Sequence, residues 1–179
     1  MTCQGTAVGQ SSTSALSSGV TTLVPGSVTP GGAFAMKLTA DPVVVPTTGG
    51  GYNISYLKSL TVKFAIPAGA TFVSASQSGG SNLGSGAVTV SASGSIVTLS
   101  VPGNLAGGTT AILPEVTINL QATGASGTAL NAQLYGSSYS SFSIGFTARV
   151  TGVPLFGSVD AVTKCYAPVN PILGTTVIS

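Results

Sequence analysis

Few side chains of this sequence are able to carry out acid–base or nucleophilic chemistry. Among its 179 residues are three acids, Asp41, Glu115 and Asp160, five Lys or Arg residues and no His. Without histidine, neither a Ser-His-Asp triad nor a His-ligated zinc centre can be assembled. A Ser-Lys dyad could use Lys58 or Lys63, but the 25 serines are too widely distributed for one of them to be singled out.

The remaining catalytic and metal-binding options depend on the three carboxylates. Paired carboxylates serve glycoside hydrolysis and carboxylate oxygens bind calcium, but these acids stand far apart in the sequence. The glycine-rich stretches TTGGGYN and GGSNLGSG lack the Lys and the strand-to-helix setting of a phosphate-binding loop. We therefore expect no enzyme activity, no cofactor and no metal site, with each acid acting as an ordinary loop or strand charge.

The two cysteines, Cys3 and Cys165, lie near opposite ends of the chain. They either form a disulfide or remain two buried thiols, and we favour the disulfide. By reducing the conformational entropy of the unfolded chain, a disulfide that closes so long a loop would raise the free energy of the unfolded state by about 5 kcal/mol. Such a bond persists only outside the reducing cytosol. This predicts an extracellular or cell-envelope protein. The polar residues after Met1 include no apolar h-region, so we expect any signal peptide to have been removed.

The composition leaves the surface almost without charge. Charged residues make up 4% of the chain, against about 25% in an ordinary domain, so 25 Gly, 25 Ser and 23 Thr must supply most of the polar surface. The five cations are scattered along the sequence with no basic run, which argues against nucleic-acid binding and against polybasic attraction to lipid. Although the mean hydropathy is +0.54, no stretch approaches 18 consecutive apolar residues.

Alternation of apolar and polar residues with a period of two predicts β-strands through most of the chain. The clearest patterns are FAMKL, LTVKFAI, EVTINLQA and SFSIGFTARV, and AVTVSASGSIVTLSV adds a hairpin that turns at Ser93-Gly94. Clusters of Pro, Gly and Asn separate the patterns, and no 3.6-residue period lasts two turns. We predict an all-β fold, a single antiparallel β-sandwich of about nine or ten strands that spans residues 1–179.

The segment from residue 57 to 123 resembles the repeat-type immunoglobulin-like domains of bacterial surface proteins. Such domains tend to have a strand that ends in Pro-x-Gly, a Phe-Val step, a hairpin, an LAxG turn and a long alternating strand. The matching residues here are Pro67, Gly69, Phe72, Val73, Leu105, Ala106 and Gly108. The flanks, with VTPGGAF and CYAPVNPIL, are similar in layout to secreted actinobacterial envelope domains of low charge. Both resemblances imply an architecture and a compartment, and neither implies catalytic residues.

Tyrosines mark the candidate contact surfaces. Tyr135 and Tyr139 lie in LYGSSYSSF, whose Tyr, Ser and Gly content is typical of adaptable binding loops, although a hairpin loop with Tyr135 on the core would have the same composition. Tyr52 and Tyr56 form a second candidate pair in GGGYNISY. The apolar C-terminal segment APVNPILGTTVIS either closes the sandwich as a last strand, which we favour, or self-associates by pairing with a neighbouring copy.

Three function classes fit these observations. The first is a secreted or envelope-associated structural or adhesive module that contacts a cell-wall or surface component. The second is a carrier for an apolar envelope lipid held between the sheets, in a cavity lined by residues such as Phe64, Leu99, Ile118 and Phe146. The third is a subunit of an outer-membrane β-barrel or porin, for which the strand patterns are short and aromatic residues are few.

Overall fold

Strands account for all the regular secondary structure of this chain. A computed structural model describes residues 1–179 and contains eighteen strands. The first nine are β1 (Thr2–Ala7), β2 (Gln10–Ala15), β3 (Val20–Leu23), β4 (Ser27–Val28), β5 (Ala33–Ala40), β6 (Val43–Val44), β7 (Thr48–Gly49), β8 (Tyr52–Ala65) and β9 (Ala70–Ser78). The others are β10 (Thr89–Ser93), β11 (Ile96–Val101), β12 (Leu105–Ala106), β13 (Thr110–Ala111), β14 (Glu115–Ala122), β15 (Ala129–Leu134), β16 (Ile144–Val153), β17 (Gly157–Tyr166) and β18 (Gly174–Ile178). No helix of bilayer-spanning length and hydrophobicity occurs in the chain.

The larger sheet is organised around β8, which forms hydrogen bonds along both of its edges. On one edge it pairs antiparallel with β16 and, through two residues, with β15. On the other edge it pairs with β11, β12 and β7. Beyond β16 follow β17, β1 and β2, while β15 continues to β18 and β4, so that the sheet includes twelve strands.

A four-stranded sheet, in the order β3-β5-β14-β9, packs against part of the larger sheet, and β6 and β13 form a separate pair. The alternating side chains of β5 and β14 meet those of β8, β11 and β15 in one buried cluster. The smaller sheet contributes Phe34, Met36, Leu38, Val116, Ile118 and Leu120, and the larger sheet contributes Leu60, Val62, Phe64, Val97, Leu99, Val101, Leu130, Ala132 and Leu134.

This arrangement confirms the all-β sandwich and the alternation from which it was predicted. In β5, Phe34, Met36 and Leu38 are buried, whereas Lys37 between them is exposed. The predicted hairpin is formed by β10 and β11. It turns at Gly94, whose φ of 57° suits glycine because a side chain disfavours the left-handed region.

Eighteen strands are present where nine or ten were predicted. Five of them, β4, β6, β7, β12 and β13, have only two residues. Of the longer strands, β1, β2, β3 and β17 were missed. The β1–β2 hairpin lacks an apolar alternation because β2 is exposed throughout and the inward positions of β1 are the small residues Cys3, Gly5 and Ala7. In β17, Val162 on the outward face obscures the pattern.

Two β-bulges interrupt the alternation of β8. Its pairing with β16 shifts between Gly145 and Thr147 and again between Arg149 and Val150, and each shift adds one residue to β8. One extra residue lies near Ser59, which has a φ of 54°, and the other is at Ser55. Each bulge moves the inward position by one residue. The strand therefore keeps an apolar inner face over fourteen residues without a continuous period of two.

The C-terminal strand β18 pairs within its own chain. It is antiparallel to β15 and parallel to β4. Thr176 and Ile178 are buried, and the Thr176 hydroxyl donates a hydrogen bond to the Pro25 carbonyl at 2.8 Å. The last strand therefore closes this part of the fold, as we favoured. Self-association through this segment stays a prediction.

The disulfide between Cys3 and Cys165 is present, as predicted. The two residues face each other in register on neighbouring strands, β1 and β17, and both are buried. The bond spans 162 residues of sequence. It therefore ties the N-terminal hairpin to the β16–β17 ribbon.

We expect replacement of both cysteines, by Cys3→Ser with Cys165→Ser, to lower the free energy of unfolding by about 3 to 5 kcal/mol, because the unfolded chain regains the entropy of a long loop. Chemical denaturation of the oxidised protein and of the variant measures this difference. The oxidised protein treated with reductant serves as a control and should unfold near the variant's midpoint. Equal midpoints for all three samples would contradict the stabilising role.

Candidate functional site

The larger sheet is wider than the sheet that packs on it, and this difference leaves an open groove. The groove has a volume of about 1180 Å³. Its floor is the inner face of β16, β17 and β1 with the part of β8 from Tyr52 to Val62, and β2 and segments 16–20 and 40–50 contribute walls. This volume slightly exceeds the usual range of small-molecule sites.

The lining of the groove is mainly apolar and carries no charged side chain. Small inward residues of β1 and β17, such as Ala7 and Ala161, leave the space open, and Phe146 and Val150 of β16 add apolar surface. The serines of β2 provide hydroxyls on one side. A lining of this kind suits an uncharged, elongated apolar ligand, because a buried charge on the ligand would find no counter-charge.

The groove is not where the sequence placed a ligand cavity. Of the residues expected to line a space between the sheets, Phe64, Leu99 and Ile118 are buried in the packed core, with no more than 3% exposed. Only Phe146 faces the groove. The expectation was wrong because β5 and β14 fill the space between the sheets with their own side chains.

The outer face of the larger sheet collects most of the charge. Lys58 and Lys63 of β8, Arg149 of β16 and Lys164 of β17 project from this face, and Asp160 is the acid among them. Four of the five cations therefore share one face with one acid. The expectation that cations scattered along the sequence form no basic face was wrong, because strand pairing brings together residues about 100 positions apart in the sequence.

Lys58, Arg149 and Asp160 form an ion cluster. The Lys58 Nζ donates to Asp160 Oδ2 at 2.6 Å and the Arg149 Nη1 donates to Asp160 Oδ1 at 3.0 Å. A third contact, from Arg149 Nη2 to Ser158 Oγ at 2.6 Å, orients the guanidinium. The hydrogen bonds from Lys58 and Arg149 hold the pKa of Asp160 below its ordinary value, because they favour the carboxylate form.

Lys63 and Lys164 both approach the ring of Phe142. The Nζ atoms lie 3.7 Å and 5.4 Å from the ring centroid, respectively. The ring has this position because Gly145 lies beneath it: a Cβ atom on Gly145 would come within 2.6 Å of the Phe142 Cε2 atom. Cation–π contacts at exposed sites contribute about 0.5 to 1 kcal/mol.

The four tyrosines expected to bind a ligand lie at different places. Tyr139 packs edge-on against Tyr166, with 5.0 Å between the ring centroids, at the end of β17. Tyr135 follows β15, is half-buried, and its backbone N–H donates to the Lys63 carbonyl at 2.9 Å. Tyr52 lines the groove. Tyr56 is half-buried in β8, opposite Arg149 in register.

The acids do not form a catalytic pair. On the smaller sheet, the Glu115 Oε1 atom lies 3.6 Å from the Lys37 Nζ atom. Asp160 belongs to the ion cluster on the larger sheet, and Asp41 follows β5. No group of three His, Cys, Asp or Glu residues is placed to hold a metal ion.

One Ser-x-x-Lys spacing escaped the sequence reasoning. It consists of Ser55 and Lys58, both in β8, where Ser55 is exposed at a bulge. The Lys58 ammonium donates to Asp160 rather than to a serine.

Comparison with known proteins gives a likeness of fold and no family. No family model matches the chain, and no curated protein matches it. A solved structure from Corynebacterium diphtheriae, described as a "putative membrane anchored protein", aligns with a TM-score of 0.56 at 15% identity. The alignment covers 99% of this chain, which spans 36% of that protein. At this identity the likeness is one of fold alone.

We expect the ion cluster to stabilise the fold at neutral pH and to lose this contribution in acid. The pKa of Asp160 is lower in the folded state than in the unfolded chain. Its contribution is therefore complete above about pH 4 and disappears as the pH falls through the folded-state value. Asp160→Asn should lower the denaturation midpoint slightly at neutral pH and have less effect in strong acid, since exposed ion pairs are weak.

The matched control for this experiment is Asp41→Asn, since Asp41 belongs to no ion pair. Its effect on the midpoint should not follow the pH dependence of Asp160→Asn. An Asp160→Asn effect that stays constant from neutral pH to below about pH 3 would show that the cluster does not act through the ionised carboxylate.

Proposed function

We propose that this protein is a non-catalytic module of a bacterial cell envelope that binds the acyl chain of an envelope lipid in its groove. The proposed compartment is supported by the Cys3–Cys165 disulfide, which is typical of oxidising environments. It is also supported by the fold likeness to a protein described as membrane anchored. The absence of histidine and the separation of the three acids support a role without catalysis.

The observation that carries the proposal is an apolar groove without a charge in its lining. A lipid acyl chain matches it in chemistry, because the chain is neutral and elongated and leaves its polar head outside. Peptides and sugars would bring polar groups that the floor of β16, β17 and β1 cannot satisfy. We therefore favour this function over a purely structural module.

Exposed apolar side chains at one end of the groove support the same ligand. Phe156 and Val8, in the β16–β17 and β1–β2 turns, both line the groove and are more than half exposed. Leu155 beside them is fully exposed, and its φ of 69° is rare for leucine. Large apolar side chains that face water at a groove mouth are suited to contact a lipid surface.

The expected affinity follows from the area that a chain would bury. A chain of about fourteen methylenes gains about 11 kcal/mol on leaving water. With an association cost of about 4 kcal/mol, about 7 kcal/mol remains, which corresponds to a dissociation constant of about 10 μM.

The structural or adhesive function is the second candidate, and the charged outer face of the larger sheet favours it. The resemblance of residues 57–123 to the immunoglobulin-like repeats of bacterial surface proteins also supports a structural or adhesive role. In the structure, Gly69 ends the turn after β8, Phe72 and Val73 are in β9, and the β10–β11 hairpin precedes β14. This relation stays part of the proposal.

The test is a titration with an environment-sensitive fluorescent fatty acid. We expect saturable micromolar binding to the unmodified protein. Ala161→Asp should weaken it at least tenfold, since it places a carboxylate on the groove floor without a partner. Native mass spectrometry of protein purified from a bacterial envelope should show a bound lipid.

The matched control is Val162→Asp, in the next position of the same strand. Val162 is 49% exposed and lies outside the groove lining, so this variant should bind the fatty acid like the unmodified protein. Thermal unfolding of both variants distinguishes loss of the fold from loss of the site. Equal binding by folded Ala161→Asp and Val162→Asp, or no saturable binding at all, would exclude the groove as the site.

A further inference from the structure

We propose that the outer face of the larger sheet binds an acidic polysaccharide, whose carboxylate or phosphate groups bridge the ammonium groups of Lys63 and Lys164 beside Phe142. This site lies on the opposite side of β8, β16 and β17 from the groove. The inference does not depend on lipid binding.

The distribution of ion pairs identifies Lys63 and Lys164 as the free cations of the protein. Lys37 pairs with Glu115, whereas Lys58 and Arg149 pair with Asp160. Lys63 and Lys164 have no carboxylate within ion-pair distance. They nevertheless project toward the same ring from different strands. Two unpaired like charges that converge on one point form a ready site for an anionic group.

The local backbone holds this arrangement in place. Lys164 is opposite Gly145 in register, and Gly145 is in turn opposite Thr61, two residues before Lys63 on β8. Because Gly145 has no side chain, the Phe142 ring lies over the sheet at this point, within reach of both lysines. The ring faces attract both ammonium groups and offset part of their mutual repulsion. The two charges are therefore positioned before a ligand arrives.

The groups around this pair favour a carbohydrate as the carrier of the negative charge. Tyr139 and Tyr166 present an edge-to-face aromatic pair at the same end of β17. The loop that leads to Phe142 offers the hydroxyls of Ser138 and Ser140, which lie 3.0 Å apart. Aromatic rings and neutral hydroxyls together suit the apolar faces and hydroxyl groups of sugars.

The same face is poorly suited to other anionic partners. Nucleic acid needs a clustered basic surface that neutralises several phosphates, and only two cations are free here. Docking to an anionic membrane combines basic and exposed apolar residues. Val162 is the one large aliphatic side chain that β8, β16 and β17 expose on this face. An acidic polysaccharide needs few charges per site because it repeats them along its length.

Biolayer interferometry with immobilised polygalacturonate, which carries carboxylates, and phosphomannan, which carries phosphates, tests the proposal. We expect binding to at least one of them and none to neutral dextran, with weaker binding as ionic strength rises. Lys63→Gln and Lys164→Gln should each reduce the affinity at least fivefold. Phe142→Leu retains both charges and should cause a smaller loss.

Lys37→Gln is the control, because it removes the same charge from the other sheet and should change the affinity less than twofold. Thermal unfolding verifies that each variant is folded, and the fatty-acid titration should be unchanged in all of them. Equal losses for Lys37→Gln and Lys63→Gln would overturn the proposal, since they would indicate an effect of net charge. Stronger binding to a single-stranded oligonucleotide or to phosphatidylglycerol vesicles than to both acidic polysaccharides, or no binding to either polysaccharide, would also overturn it.

Discussion

The difference in width between the two sheets governs the functional geometry of this protein. Strands β5 and β14 cover the inner face of β8, β11 and β15, whereas β16, β17 and β1 extend beyond them. Apolar surface left in water costs about 25 cal/mol per Å², so the uncovered face must be small in area, shielded by another segment or occupied by a ligand. The chain uses small residues such as Gly5 and Ala161 and the segment 40–50 to reduce that area, and a groove remains between them.

Strand β8 connects the core to this groove. Phe64 near its end belongs to the packed core alone, Leu60 and Val62 border both the core and the groove, and Tyr52 and Ile54 in its first half line the groove. The bulges near Ser55 and Ser59 make this possible, because each restores the inward orientation after the strand twists. Substitutions in β8 therefore affect stability toward one end of the strand and the shape of the groove toward the other.

The alternation of side chains across a strand gives the two faces of β16 and β17 opposite chemistry. Inward positions are apolar or small and form the groove floor, while outward positions include Arg149, Asp160 and Lys164. In a protein with only eight charged side chains, five of them on one sheet face create a clear polarity across the sheet. This part of the larger sheet therefore presents apolar surface on one side and a hydrophilic, mainly cationic surface on the other.

The sequence by itself determined the strand class, the core and the disulfide. Period-two alternation at Met36, Leu99 and Ile118 reports local strand geometry, and two cysteines allow a single intramolecular pairing. Only the tertiary structure decided the groove and the approach of Lys63 and Lys164 to the ring of Phe142. The groove and the cation pair both depend on the order and register of strands that are distant in the sequence. Hydrogen bonds between backbones establish this order and register, and no local pattern encodes them. For the same reason the missed strands, β1 with its small inward residues and β17 with Val162 on its outward face, became evident only beside their partners.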